Sequence, residues 1–220
     1  MTRFREAVID EASRGTPVSL SPLRSLARDA GVTTAILVEG VSDQAALETL
    51  AARRARDLEA EGVCIVPLGG ATSIRRFLER LGPHGLDLRL LGLCDVGEER
   101  YFRRGLELAG VGRELGARDL EALGFFVCDA DLEAELIRAL GSDGVERVIE
   151  AEGDLRALRS LQRQPAQRAR TREEQLHRFM GSIGGRKARY ASALINAAEP
   201  GRIPRPLDRL LASLRTESGA

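Results

Sequence analysis

The run Ile36-Leu37-Val38-Glu39-Gly40-Val41-Ser42-Asp43 constrains this chain more than any other. Its apolar start reads as a buried strand. Glu39 ends the strand, Gly40 makes a tight turn, and Asp43 enters the first turn of a helix. The pattern recurs: Leu90-Leu91-Gly92-Leu93-Cys94 runs into Asp95, and Phe125-Phe126-Val127-Cys128 is followed by Asp131 and Glu133. Short apolar strands that alternate with helices predict a parallel sheet of right-handed βαβ units. In such a sheet the carboxyl ends of the strands line one crevice. Five carboxylates would then converge there. Like charges ~4 Å apart repel by roughly 4 kcal/mol at an effective dielectric of ~20, so the cluster calls for a divalent cation. An all-oxygen ligand set suits Mg²⁺ or Mn²⁺.

The remaining elements follow from the same alternation. The first 34 residues read as helical: Phe4, Val8 and Ile9 give a partial apolar face, Gly15-Thr16-Pro17 a break, and Ser21-Pro22 a new N-cap for a helix ending near Gly31. Strands are expected at Ala35–Val38, Val63–Pro67, Leu88–Cys94 and Phe125–Cys128. Helices are expected over Ser42–Leu58, Thr72–Leu81, Glu98–Ala109 and Leu132–Leu140. Beyond Gly144 only helical patterns occur, with breaks at Pro165, Gly184-Gly185 and Pro200 to Pro206.

Composition excludes several classes. No apolar stretch approaches the ~18 residues of a membrane span, and the N-terminus has no apolar run after its charges, so no signal peptide and a cytoplasmic protein are expected. Cys64, Cys94 and Cys128 each fall inside an expected strand, as small buried hydrophobes, with no zinc-ligand spacing. No Gly-x-x-x-x-Gly-Lys-[Ser/Thr] and no Gly-x-Ser-x-Gly is present, which argues against a P-loop ATPase and a hydrolase triad. His84 and His177 carry little signal on their own. Net charge is zero, so contact with nucleic acid must come from local charge. Such charge exists. Asp129 to Asp154 holds nine acids and two Arg, whereas Leu155 to Tyr190 holds ten basic residues against Glu173 and Glu174. The basic stretch, with Arg168, Arg170, Arg172, Arg186 and Arg189, could sit on phosphates and release counterions. Lys187 is the sole lysine among the 33 Lys and Arg. Its compact ammonium differs chemically from the surrounding guanidiniums.

Glu39-Gly40-x-Ser42-Asp43 resembles the first motif of Toprim domains, the fold shared by type IA topoisomerases, bacterial primases, recombination mediators and OLD-family nucleases. The Toprim pattern continues with Asp-x-Asp ending the third strand; here Asp95 supplies the first Asp and Gly97 stands in place of the second. Glu98 or Glu99 could substitute for it. The OLD (overcoming lysogenization defect) family is the closer resemblance. It implies that Asp131-Leu132-Glu133 adds ligands and that Lys187, in Gly184-Gly185-Arg186-Lys187-Ala188, is the family lysine. Ile203-Pro204-x-x-Leu207 is similar to the closing helix of the family.

The resemblance covers roughly residues 34 to 215. It implies an α/β fold: a Toprim-like parallel four-stranded sheet flanked by helices, over residues 35–142. A helical segment (1–34) would precede it and a helical C-terminal extension (143–220) would complete the site. The implied activity is metal-dependent hydrolysis of phosphodiesters in DNA, with Mg²⁺ or Mn²⁺ held as two ions. Glu39, Asp43 and Asp95 would serve one ion, and Asp95, Asp131 and Glu133 the other, with Glu39 and Lys187 catalytic. Asp129 is the alternative ligand, with Asp131 then merely an N-cap. OLD proteins usually carry an ATPase, for which this sequence has no motif, so the resemblance implies either action alone or a separate ATPase subunit as partner. RNA processing and a non-catalytic nucleic-acid-binding or regulatory module are the rival expectations, the latter motivated by Gly97.

Overall fold

The apolar runs are strands in the computed structural model, which describes residues 1–14, 19–181 and 185–214. The expected break at Gly15-Thr16-Pro17 and the first glycine of Gly184-Gly185 lie outside the described residues. Two helices come first, α1 (Thr2–Arg14) and α2 (Ser21–Asp29). Phe4, Val8 and Ala12 are buried at successive turns of α1, the spacing that puts side chains on one helical face. Leu20 rather than Ser21 occupies the N-cap of α2, with Pro22 in the first turn.

The sheet contains β1 (Thr34–Val38), β2 (Val63–Pro67), β3 (Arg89–Asp95) and β4 (Phe125–Cys128), in the order β2-β1-β3-β4, and all three pairings are parallel. Its connections are α3 (Val41–Arg53), α4 (Ile74–Leu81) with a 3₁₀ turn before it, α5 (Glu99–Leu108) and the short α6 (Ala117–Ala122). The strands are buried on both faces, as parallel sheets require. Ile36, Val38, Ile65, Leu93 and Phe126 point to one core, and Ala35, Leu37, Cys64, Val66 and Phe125 to the other. The second core is closed by α1, α2, α4 and α5.

The first core is closed by α3 and by the helices that follow the sheet: α7 (Leu132–Ala151), α8 (Leu155–Gln162), α9 (Arg172–Met180), α10 (Arg186–Ala197) and α11 (Arg205–Ser213). α10 lies along α3. Thr49 Oγ1 donates to Ser192 Oγ at 3.0 Å, and the Arg53 guanidinium donates to the carbonyls of Ile195 and Ala198 at the end of α10.

One helix expectation is corrected. α3 stops at Arg53 rather than Leu58, because Ala55 turns into left-handed backbone at φ +52°. The helix expected over Leu132–Leu140 does break after Leu140: Gly141 (φ +70°) is non-helical, a conformation that suits glycine, and α7 resumes beyond it to Ala151. The six-residue α6 was not foreseen, being too short to show a strong period.

Gly92 has a packing reason. It sits directly opposite Phe125 in the β3–β4 register, and a Cβ there would lie 2.4 Å from Phe125 Cδ1 and 3.2 Å from the Leu37 carbonyl. Phe125 is itself fixed edge-on against Phe102. Gly92→Val is therefore expected to lower stability by ~1–3 kcal/mol through overpacking, read as a lower urea midpoint at unchanged m-value. An unchanged midpoint would show that the ring moves aside freely.

Candidate metal centre

Glu39 leaves the end of β1, and Gly40 forms the N-cap of α3. The Gly40 N–H donates to Asp43 Oδ2 at 2.8 Å, which closes the turn and points the Asp43 carboxyl back at the strand ends. Asp95 ends β3, the neighbour of β1. From the opposite side Asp131 caps α7: its Oδ1 accepts from the Ala134 N–H at 2.8 Å. Glu133 follows in the first turn of α7, 5% exposed. Lys187, in the first turn of α10, places Nζ 3.3 Å from Glu133 Oε1.

Glu39, Asp43, Asp95, Glu133 and Lys187 line one open cavity of about 1040 Å³, with the Gly69-Gly70 loop on its far wall. Asp131 lies beside Glu133. Asp129, the alternative ligand, points outward, with a side chain 83% exposed and paired with Arg138. Gly97 has open space where a side chain would project. Glu98, next to it, is the charge with the strongest influence on Glu39.

The electrostatics are those of crowded, partly buried acids. Burial pushes Asp43 up to about 7, against the Gly40 hydrogen bond, and Glu133 and Glu39 add to the rise. Asp95 rises to about 8 through burial, then through Glu39 and Asp43. Glu39 is raised by burial and by Glu98. Burial would depress the Lys187 ammonium, but Glu133, Asp131 and Asp95 outweigh it, and its pKa is raised. Asp131 differs from the other acids. Burial favours its neutral form, yet the hydrogen bonds from His177 and Ala134 prevail and lower its pKa.

His177 is the residue that sequence reasoning passed over. Its Nε2 lies 2.6 Å from Asp131 Oδ2, and one ligand atom each from Asp131, Glu133 and His177 lie within 4.8 Å of one another. The partners are 46 positions apart, so no local spacing could announce them. The five arginines divide. Arg172 is paired with Glu146 and Asp143, Arg189 with Asp154 and Glu152, and Arg186 lies over the Phe179 ring near Asp154. Arg168 and Arg170 are exposed and form no ion pair among the described residues.

The donor set fits a hard divalent cation. Glu39 Oε2 is buried without a hydrogen-bond partner, where such atoms normally have one, and buried Glu133 Oε1 has the Lys187 ammonium at 3.3 Å. Carboxylate oxygens dominate, with one imidazole available.

A β2-β1-β3-β4 parallel sheet with acids at the ends of β1 and β3 defines a Toprim-like α/β fold, and Asp131, Glu133 and His177 form a group that could hold a metal. Residues 32–96 match the model of the OLD-like Toprim domain, described as overcoming lysogenization defect protein-like. Two solved structures extend the likeness well beyond that segment. The C-terminal region of the Burkholderia pseudomallei OLD protein is 26% identical at a TM-score of 0.64, covering 84% of this chain and 97% of that one. The C-terminal region of the Xanthomonas campestris pv. campestris OLD protein is 28% identical at a TM-score of 0.64, covering 84% and 94%. No curated protein matches the chain. Among the described residues, no helix is long and apolar enough to cross a membrane.

Proposed function

We propose that this protein is a Mg²⁺- or Mn²⁺-dependent nuclease that hydrolyses phosphodiesters in DNA. The observation that carries the reading is the convergence of Glu39, Asp43, Asp95, Glu133 and Lys187 on one cavity, with the buried Glu39 Oε2 left without a hydrogen-bond partner. Divalent cations bound there would supply a deprotonated water at neutral pH and charge stabilisation for an in-line displacement. Glu39, Asp43 and Asp95 would hold one ion, and Asp95, Asp131 and Glu133 the other. His177, hydrogen-bonded to Asp131, would orient that carboxylate or add a nitrogen ligand. Lys187, anchored by Glu133, projects its ammonium into the cavity, where negative charge grows on the phosphate. The ATPase that the OLD resemblance implies is a proposed partner.

The test is nicking of supercoiled plasmid, beside cleavage of a structured RNA, in Mg²⁺, in Mn²⁺ and in chelator. Plasmid nicking that needs the cation and is absent in chelator is expected. Cleavage of RNA alone would redirect the reading to RNA processing. Cleavage of neither would leave a binding module, the reading that Gly97 favours.

A further inference from the structure

A second groove adjoins the metal centre. It runs between α7 and α9 and encloses about 600 Å³, within the ~300–1,000 Å³ of ligand-sized sites. Ala134, Ile137 and Gly141 line it with apolar surface. The break in α7 at Gly141 leaves open space beside that glycine. Arg170 and Arg178 line the same groove, both exposed and neither ion-paired among the described residues.

The other charges facing the groove are already engaged. Arg138 is paired with Asp129 and Glu135. Glu173 accepts from Ser142 Oγ at 2.7 Å, and Glu174 closes the capping box of α9 with Thr171. Both glutamates keep their negative charge, but hydrogen bonds hold them in place, and the guanidiniums of Arg170 and Arg178 remain available to an anion. His177 also lines the groove and reaches Asp131, so whatever lies in the groove leads to the metal centre.

We propose that the α7–α9 groove holds the single-stranded segment of nucleic acid that flanks the reacting phosphate, with Arg170 and Arg178 each on a backbone phosphate and the sugars against the apolar floor. This rests on the nuclease reading for the position of the reacting phosphate. A positively charged groove that follows the backbone is the usual device for strand binding. No Phe, Tyr or Trp lines this one, so it offers no large stacking platform for the bases. Binding should be insensitive to sequence and steep in salt.

The experiment measures fluorescence anisotropy of a labelled 12-nucleotide single strand against the full chain, in chelator and in Ca²⁺, across a salt series. The double variant Arg170→Ala/Arg178→Ala is compared with Arg104→Ala/Arg113→Ala, which removes the same charge from exposed positions outside the groove. The groove variant should bind at least tenfold more weakly, with the slope of log affinity on log salt reduced by about 1.4, or ~0.7 for each lost phosphate contact on a single strand. The control should stay within twofold. Equal weakening in both, no weakening in the groove variant, or no binding of single strands by the parent would each overturn the proposal. The readout needs no cleavage, so the two readings fail separately. A parent that binds through the groove but never cuts sinks the nuclease reading alone. A parent that cuts while its groove variant binds normally sinks the groove alone.

Discussion

Lys187→Ala is expected to bind DNA and divalent cations like the parent and to cut slowly, by ~10²-fold or more, the scale set by removing one charge-stabilising donor from an active site. The ammonium sits at the open face of the cavity, 3.3 Å from buried Glu133. Glu133, Asp131 and Asp95 all hold it protonated. It is thus a fixed positive charge, unsuited to act as a base at neutral pH. An interaction made mainly in the transition state lowers turnover and spares ground-state affinity. Lys187→Arg should restore little, because a planar guanidinium places its charge differently. Single-turnover cleavage at saturating enzyme is the measurement. A parental rate for Lys187→Ala would remove the residue from the chemistry.

Asp43→Asn should have opposite effects on metal binding and on the stability of the metal-free protein. The amide can still accept the Gly40 N–H, so the turn is kept, but the charge is lost. Affinity for Mn²⁺ should fall by more than the ~10–100-fold typical of disturbing a partner outside the ligand shell. Stability follows from linkage. The folded chain holds a proton on Asp43 up to about pH 7 and on Asp95 up to about pH 8, whereas both release it near 3.8 when unfolded. Between those limits the folded state binds more protons, so stability in chelator falls as pH rises from about 4 to 8. Asp43→Asn should flatten that fall and melt higher than the parent at pH 8 in chelator. Adding Mn²⁺ should raise the parent's melting temperature and release protons, seen by calorimetry in buffers of different ionisation enthalpy. A parent whose chelated stability is level from pH 5 to 8 would mean the acids are not crowded as described.

Much of this centre was legible because its geometry is written locally. A strand that ends in Glu39, a glycine turn and Asp43 three residues into a helix occupy one short run of sequence. Apolar runs likewise announced β1, β2 and β4 within a residue or two. Contacts between distant segments were not legible. His177 on α9 meets Asp131 only because α9 packs on α7. The basic stretch from Leu155 read as a free cationic surface, yet Arg172, Arg186 and Arg189 find acids in the preceding acidic stretch: Glu146, Asp143, Glu152 and Asp154. The two oppositely charged segments fold onto each other, and a one-dimensional charge count cannot see that. The end of α3 went wrong at Ala55 for a local reason: one residue of left-handed backbone outweighs many residues of favourable periodicity.

The order of the centre's residues along the chain has a consequence for synthesis. Glu39, Asp43, Asp95, Asp131 and Glu133 all precede Lys187, which follows Glu133 by 54 positions. At ~5–20 residues per second, the last of the acids, Glu133, leaves the ribosome roughly 3–11 s before the ammonium, and the others earlier still. During that interval the sheet can form, but α3 still lacks α10 along its flank, and the acids must take up protons or cations to lie together. Lys187 arrives last of these, on α10, with only α11 still to come to close the same core. A nascent chain can therefore bring its acids together before their ammonium is present.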